Sequence, residues 1–174
     1  MRNINNIVIH CTAGFANAEA VQDYFTRPRS KGGRGWKTGG YHRIIETDGT
    51  IKKMYDFSKV TNGVKGFNDD TIHISYVGGV DKDNVNKAVD TRTPQQKVAI
   101  AACIIEAIDW CKNQGQDITK DLGIVGHRDY SKDNNSNGVI EPWERIKECP
   151  SFDTMSEYGW YGSSDRYGKL PYIK

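Results

Sequence analysis

No stretch of the 174-residue chain approaches the roughly 18 consecutive apolar residues that a membrane-spanning helix needs. The N-terminus, Met1-Arg2-Asn3-Ile4-Asn5-Asn6, runs straight into a strand pattern and shows no secretory h-region. Synthesis in a cytoplasm without an export signal is therefore expected. Charge is nearly balanced, at a net +2, so no general attraction to nucleic acid follows. Cysteine is sparse, at four residues, and these do not make a disulfide framework. Cys103 and Cys111 lie on a helix pattern about 12 Å of rise apart, beyond the Cα separation that a disulfide tolerates. Cys11 follows His10 in a strand and should point to the opposite face. A reduced chain results, with three of its cysteines as packing residues. Repeats, low-complexity linkers and a second domain are absent too, and the length suits one domain with a real core.

What is present alternates between strand and helix patterns. Ile4 to Cys11 contains the β-branched run Ile7-Val8-Ile9 and ends on His10. Ala18 to Phe25 suggests a short helix with Ala18, Val21, Tyr24 and Phe25 on one face, stopped by Pro28. Ser30 to Gly40 is a glycine-rich loop around Trp36. Arg27, Arg29, Lys31, Arg34 and Lys37 crowd this region, as a solvated loop or as a rim for an anionic polymer. Tyr41 to Glu46 and Ile51 to Tyr55, joined through Asp48-Gly49, form a hairpin. Period two sets Tyr41, Arg43 and Ile45 against His42, Ile44 and Glu46. Thr71 to Val77 is a further strand, and Asp81 to Thr91 a surface loop. Thr93, Pro94 and Gln96 start the longest helix with a capping box. Val98, Ala99, Ala101, Ala102, Ile105 and Ile108 give its apolar positions, and Gly115 ends it. Leu122 to Gly126 is a last strand that delivers His127. These elements predict an α/β fold, a mixed central β-sheet with helices packed on both faces. Parallel strands would bring His10 and His127 to one rim, where open α/β sheets bind ligands.

His10, His127 and Cys149 are two imidazoles and a thiolate, a set that suits a borderline metal such as Zn2+. Three ligands without a credible fourth favour a catalytic over a structural site, since Cys11 points away by alternation. His73, mid-strand between Ile72 and Ile74, reads as structural, and His42 faces away from Tyr41. Either replaces His10 as a ligand if the strand registers differ.

Several segments then fall in a telling order. They are His10-Cys11-Thr12-Ala13, Trp36 before Gly40-Tyr41-His42, Asp48-Gly49-Thr50 and Lys65-Gly66-Phe67-Asn68. Val77-Gly78-Gly79-Val80-Asp81, Gly126-His127 and Lys147-Glu148-Cys149-Pro150-Ser151-Phe152-Asp153 follow. In this order they resemble the zinc-dependent N-acetylmuramoyl-L-alanine amidases, the superfamily of phage lysozyme and peptidoglycan recognition proteins. The resemblance runs from about residue 4 to 154. It implies that His10, His127 and Cys149 hold zinc, that Tyr41 and Lys147 assist catalysis, and that Trp36 and Asn68 touch substrate. The implied reaction hydrolyses the amide between N-acetylmuramic acid and L-alanine in bacterial peptidoglycan, as endolysins or autolysins do. The implied partner is peptidoglycan, both glycan strand and stem peptide, with no nucleic acid, no membrane insertion and a monomeric protein. Action on the cell wall would follow release or transfer by another factor. Residues 1–155 would form the catalytic domain and 156–174 a tail packed on it, with Tyr158, Trp160, Tyr161, Tyr167 and Tyr172 as its aromatics. Lys147, two residues before Cys149, is a cation suited to a developing oxyanion, and Tyr41 can orient or share a water proton.

The sequence departs from the resemblance twice. Relatives often carry a His just before the Lys-Gly-aromatic-Asn stretch, where this chain has Gly63-Val64. His127 and Cys149 are also separated by an insert, Asp133 to Glu144, with the D-x-[DN]-x-[DN]-G-x5-E pattern of a calcium loop. Asp133, Asn135, Asn137, the Val139 carbonyl and Glu144 would bind Ca2+, Gly138 would make the turn and Ile140 would anchor it. A plain polar turn is the other reading, since turns use the same residue types. Two other functional classes compete with the enzyme. A non-catalytic peptidoglycan-binding module would be expected to lack the Cys ligand, and a calcium-stabilised structural protein would leave His10, Tyr41 and Lys147 unexplained.

Overall fold

Among the described residues five strands form one sheet in the order β3-β2-β4-β1-β5. They are β1 (Asn6–Cys11), β2 (Arg43–Ile45), β3 (Ile51–Lys53), β4 (Thr71–Tyr76) and β5 (Gly123–Gly126). The β2-β4, β4-β1 and β1-β5 pairs are parallel, and the hairpin pair β2-β3 is antiparallel. The computed structural model describes residues 2–171; Tyr172 of the expected aromatic tail lies outside them. Among the described residues four α-helices accompany the sheet: α1 (Ala18–Thr26), α2 (Pro94–Asn113), α3 (Ile118–Asp121) and α4 (Thr154–Tyr158). The mixed α/β architecture read from the sequence is thus the observed one.

The central strands are buried on both faces, which is why they read as apolar runs. Ile7, Ile9 and Cys11 of β1 and Ile72, Ile74 and Tyr76 of β4 join α2 in the main core. Val8 packs in a smaller cluster with Val64 and Val125 on the other side. On that second side α1 lays Ala18 and Val21 against Ile44 and Val77. Tyr24, expected on the buried face of α1, is 46% exposed.

Helix α2 starts as its sequence requires. Thr93 Oγ1 accepts from Gln96 N–H and Gln96 Oε1 accepts from Thr93 N–H, a complete capping box. Its buried face is Ala99, Ile100, Cys103, Ile104, Ala107, Ile108 and Cys111. Val98 and Ile105, expected at the core, are 72% and 47% exposed. The helix carries apolar residues nearly all round, so periodicity alone left the contact face undetermined. The two cysteines lie on the face that packs, as small apolar groups do.

Candidate metal centre

Parallel pairing of β1 and β5 sets Ile9 beside Gly126. His10 and His127, the next residues on each strand, therefore emerge at one rim. The Gly126 N–H donates to Asp129 Oδ2 at 2.7 Å, which turns the chain through residues His127–Tyr130. A Cβ on Gly126 would fall 2.7 Å from Pro150 Cδ, so this strand end needs glycine for close approach. Across that contact, Arg128 N–H donates to the Cys149 carbonyl at 2.7 Å, and Tyr76 Oη donates to the Pro150 carbonyl at 2.7 Å. Cys149 is thereby held by the C-terminal ends of both β4 and β5. Its Sγ accepts from Cys11 N–H at 3.3 Å and lies 3.8 Å from His10 Nδ1.

One donor atom each from His10, His127 and Cys149 lies within 4.8 Å of the other two. This is the one such convergence of three or more His, Cys, Asp or Glu among the described residues. A tetrahedral ion with typical Zn–N and Zn–S bonds holds its nitrogen and sulfur ligands about 3.6 Å apart. The His10–Cys149 spacing is close to that, so the donor set fits zinc in both chemistry and distance. Burial, followed by the neighbouring His127, drives His10 well below the ordinary histidine range. Burial, followed by Lys147, takes His127 down to about 4. Both rings are neutral at pH 7, as metal ligands must be. Burial also pushes the Cys149 thiol well up, so it holds its proton until a bound cation displaces it to solvent.

Tyr41 lies on the metal side despite the alternation expected of it. Strand β2 begins only at Arg43, and the chain bends before it, where the His42 carbonyl accepts from Met54 and Tyr55 N–H. The Tyr41 ring sits 5.0 Å from the His10 ring and edge-on to Phe25. Burial, then the two nearby cysteines, raises its phenol pKa, so the proton stays on Oη. His42 and His73 fall outside the ligand cluster. The His42 Nε2 pairs with the Lys59 carbonyl at 2.8 Å, and its Nδ1 accepts from His73 N–H at 2.9 Å. Of these three histidines, His10 alone joins the cluster with His127 and Cys149.

A cleft of about 560 Å³ opens beside the cluster, lined by Trp36, Asn68, His127 and Lys147 together with Arg34, Lys65 and Tyr130. Trp36 stacks on Phe25 at 5.1 Å, and the Arg34 guanidinium lies 4.9 Å from the Trp36 ring. Of the basic segment, Arg34 serves the cleft, while Arg27 is paired to Asp23 on the surface. Phe67 and Tyr130, whose rings are 4.8 Å apart, form wall that sequence reading left unassigned.

The insert between the ligands closes on itself. Asp133 Oδ2 accepts from Gly138 N–H at 2.7 Å, and Asn137 Oδ1 from Val139 N–H at 2.9 Å. Asn135 Oδ1 accepts from Asn137 N–H at 3.0 Å. The buried Glu144 takes Asn134 N–H on one oxygen and Glu141 N–H on the other, at 2.7 and 3.0 Å. Gly138 makes the sharp turn at φ 83° and Ile140 is buried, as expected. These acceptors satisfy backbone amides, which is what such residues do in tight turns, and this geometry lends Ca2+ no support.

Sequence comparison agrees with the layout. The family model described as N-acetylmuramoyl-L-alanine amidase matches residues 1–150. An endolysin of Enterobacteria phage K11 is 33% identical over 145 residues, covering 83% of this chain and 79% of that protein. In three dimensions the chain is similar to the N-acetylmuramoyl-L-alanine amidase LysC of Clostridium intestinale. That match has a TM-score of 0.55 at 24% identity, over 87% of this chain and 79% of the other. Drosophila PGRP-LB matches with a TM-score of 0.57 at 18% identity, over 86% and 76%.

Proposed function

The chain belongs to the N-acetylmuramoyl-L-alanine amidase family, and we propose that it performs the family's reaction with zinc held by His10, His127 and Cys149. The reaction is hydrolysis of the amide that joins N-acetylmuramic acid to L-alanine, and the partner is peptidoglycan. The observation that carries the zinc assignment is the convergence of two neutral imidazoles and one thiol beside a cleft that His127 lines. Zinc in a three-ligand site supplies Lewis acidity and lowers the pKa of a bound water to about 7.

The protein's own groups supply the rest. Lys147, exposed on the cleft wall beside His127, places a cation where charge builds on the scissile carbonyl oxygen. Tyr41 keeps its proton on Oη beside His10 and serves as a hydrogen-bond donor at the reacting centre. Trp36 gives a flat apolar wall for sugar or peptide, and Asn68 offers an amide to the polar backbone of the substrate. The tail up to residue 171 acts with the same domain, a reading that the packing of Tyr158 and Tyr161 on the main core supports. The site of action is the bacterial wall, as for an endolysin or autolysin; no described helix is long and apolar enough to cross a membrane. A binding module without catalysis has no need for a cysteine held at the metal rim, and Cys149 is so held.

Metal analysis of the purified protein tests the ligand set. One zinc per wild-type chain is expected, with loss of zinc in His127→Ala and Cys149→Ala. Full occupancy in both variants would remove these residues from the site.

A further inference from the structure

The metal cluster accounts for one nitrogen of His10 and leaves the other to be explained. Nδ1 faces Cys149, and Nε2 lies 3.1 Å from Nδ1 of His73, which is fully buried. His73 is on β4, on the same sheet face as His10 but diagonal to it in register, since Val8 is its direct neighbour. Its remaining nitrogen, Nε2, lies 2.9 Å from Thr71 Oγ1 and 3.2 Å from Asn68 Oδ1.

The protons along this line can be placed by elimination. Thr71 Oγ1 donates to the Phe67 carbonyl at 2.6 Å, so its single hydrogen is used and it can only accept from His73. Asn68 is oriented by Val64 N–H, which donates to Oδ1 at 2.9 Å, so the atom facing His73 is an acceptor as well. Two acceptors around Nε2 require the proton there. Neutral His73 then has a bare Nδ1, which accepts from His10 Nε2–H. His10 is left with its lone pair on Nδ1, facing the cluster. A backbone carbonyl thus fixes the tautomer of a metal-facing imidazole through two intervening side chains.

Gly63 belongs to the same arrangement. Its φ lies outside the left-handed range, so backbone conformation does not call for glycine. Space does: a Cβ there would fall 2.3 Å from His73 Cγ and 2.4 Å from Nδ1. Gly63 and Asn68 both line the cleft, so the imidazole of His73 lies directly beneath the substrate wall.

We infer that His73 is a positioning residue of the metal centre, orienting His10 through the His10–His73–Thr71 hydrogen-bond line, with Gly63 as its required steric complement. The inference rests on the reading that His10, His127 and Cys149 hold zinc. Outer partners of ligating histidines fix ring orientation and raise ligand basicity. Asn68 joins the line to the cleft, so contact between substrate and Asn68 reaches the ligand through one imidazole.

Zinc affinity by chelator competition and the absorption spectrum of the cobalt-substituted protein test this without any activity measurement. His73→Leu removes the acceptor at similar volume and should weaken zinc binding by about 10- to 100-fold. His73→Asn can present Oδ1 where Nδ1 stood and should recover most of that loss, with a near wild-type cobalt spectrum. Gly63→Ala should weaken binding in the wild type and have little effect in a His73→Ala background. Long-range proton–nitrogen NMR of the wild type adds a readout that needs no variant. It should show the proton on Nε2 in both His73 and His10. Unchanged affinity in a folded His73→Leu, or an Nδ1–H tautomer at His73, would overturn the inference. Absence of zinc binding by the wild type would instead overturn the underlying metal assignment.

Discussion

Replacing Arg92 by Met should destabilise the protein by more than any surface ion pair is worth. The Arg92 side chain is 1% exposed and bonds Asp90 at 2.8 Å through both Nε and Nη2. It also bonds both oxygens of Glu157, at 3.0 and 2.7 Å, and its guanidinium carbon lies 3.2 Å from the centre of the Phe152 ring. Phe152 follows Cys149-Pro150, and Glu157 is in α4, so this cation ties the segment after the metal ligand to the loop before α2. Breaking a buried pair by removing one partner costs about 3–5 kcal/mol. Here the carboxylates are 34% and 37% exposed and regain part of their hydration, which lowers the expected loss to about 2–3 kcal/mol. For a chain of this size that is a fall in Tm of about 5–10 °C. The assay is thermal and urea unfolding at fixed zinc, because metal binding itself shifts stability. Arg27→Met, which breaks an exposed pair, should change stability by less than about 0.5 kcal/mol. Equal Tm values for the two variants would refute the reasoning.

Three further outcomes follow from the same structure. Lys147→Ala should retain zinc and lose about 10- to 1,000-fold in kcat/KM, the scale of lost oxyanion stabilisation; unchanged kinetics would remove Lys147 from the mechanism. His42 is fully buried, and burial lowers it to about 4 from the ordinary 6.5. A depressed folded-state pKa gives stability that is present above pH 6.5 and lost as pH falls toward 4. At pH 4.5 the loss from His42 alone is about 2.5 kcal/mol, to be read in urea titrations at pH 7 and 4.5, and equal stabilities would contradict it. Ile104→Ala should cost about 2–5 kcal/mol of unfolding free energy and Ile105→Ala well under half of that, since only the first is fully buried; the reverse order would place the wrong face of α2 on the sheet.

Much of the fold was legible because its elements carry local signals. The capping box at Thr93, the Asp48-Gly49 turn and the β-branched runs of β1 and β4 each encode their structure within a few residues. The His10–His127–Cys149 cluster was legible because parallel strands ending in His10 and His127 bring both rings to one rim. What was not legible depends on tertiary choice. The buried face of α2 could not be picked from a helix apolar on most sides. Tyr41 escaped alternation because β2 starts two residues later than its pattern, after a bend where the His42 carbonyl takes hydrogen bonds from Met54 and Tyr55, just past β3. Asp133, Asn135, Asn137 and Glu144 match a calcium loop and a tight turn alike, because both draw on the same oxygen-bearing side chains. His73 read as an ordinary core histidine, since nothing in Ile72-His73-Ile74 reports that His10 lies diagonally across the sheet. Gly63, which in the sequence is only a departure from the family pattern, is its steric counterpart in the fold.

The most direct test of the central claim is product mapping on purified peptidoglycan digested by the zinc-loaded protein, with Cys149→Ser as control. Mass spectrometry should show stem peptides with a new free N-terminal L-alanine and glycan strands that keep intact lactyl groups, and neither product with the control. Cleavage confined to glycosidic bonds or peptide cross-links, or equal release by Cys149→Ser, would contradict it.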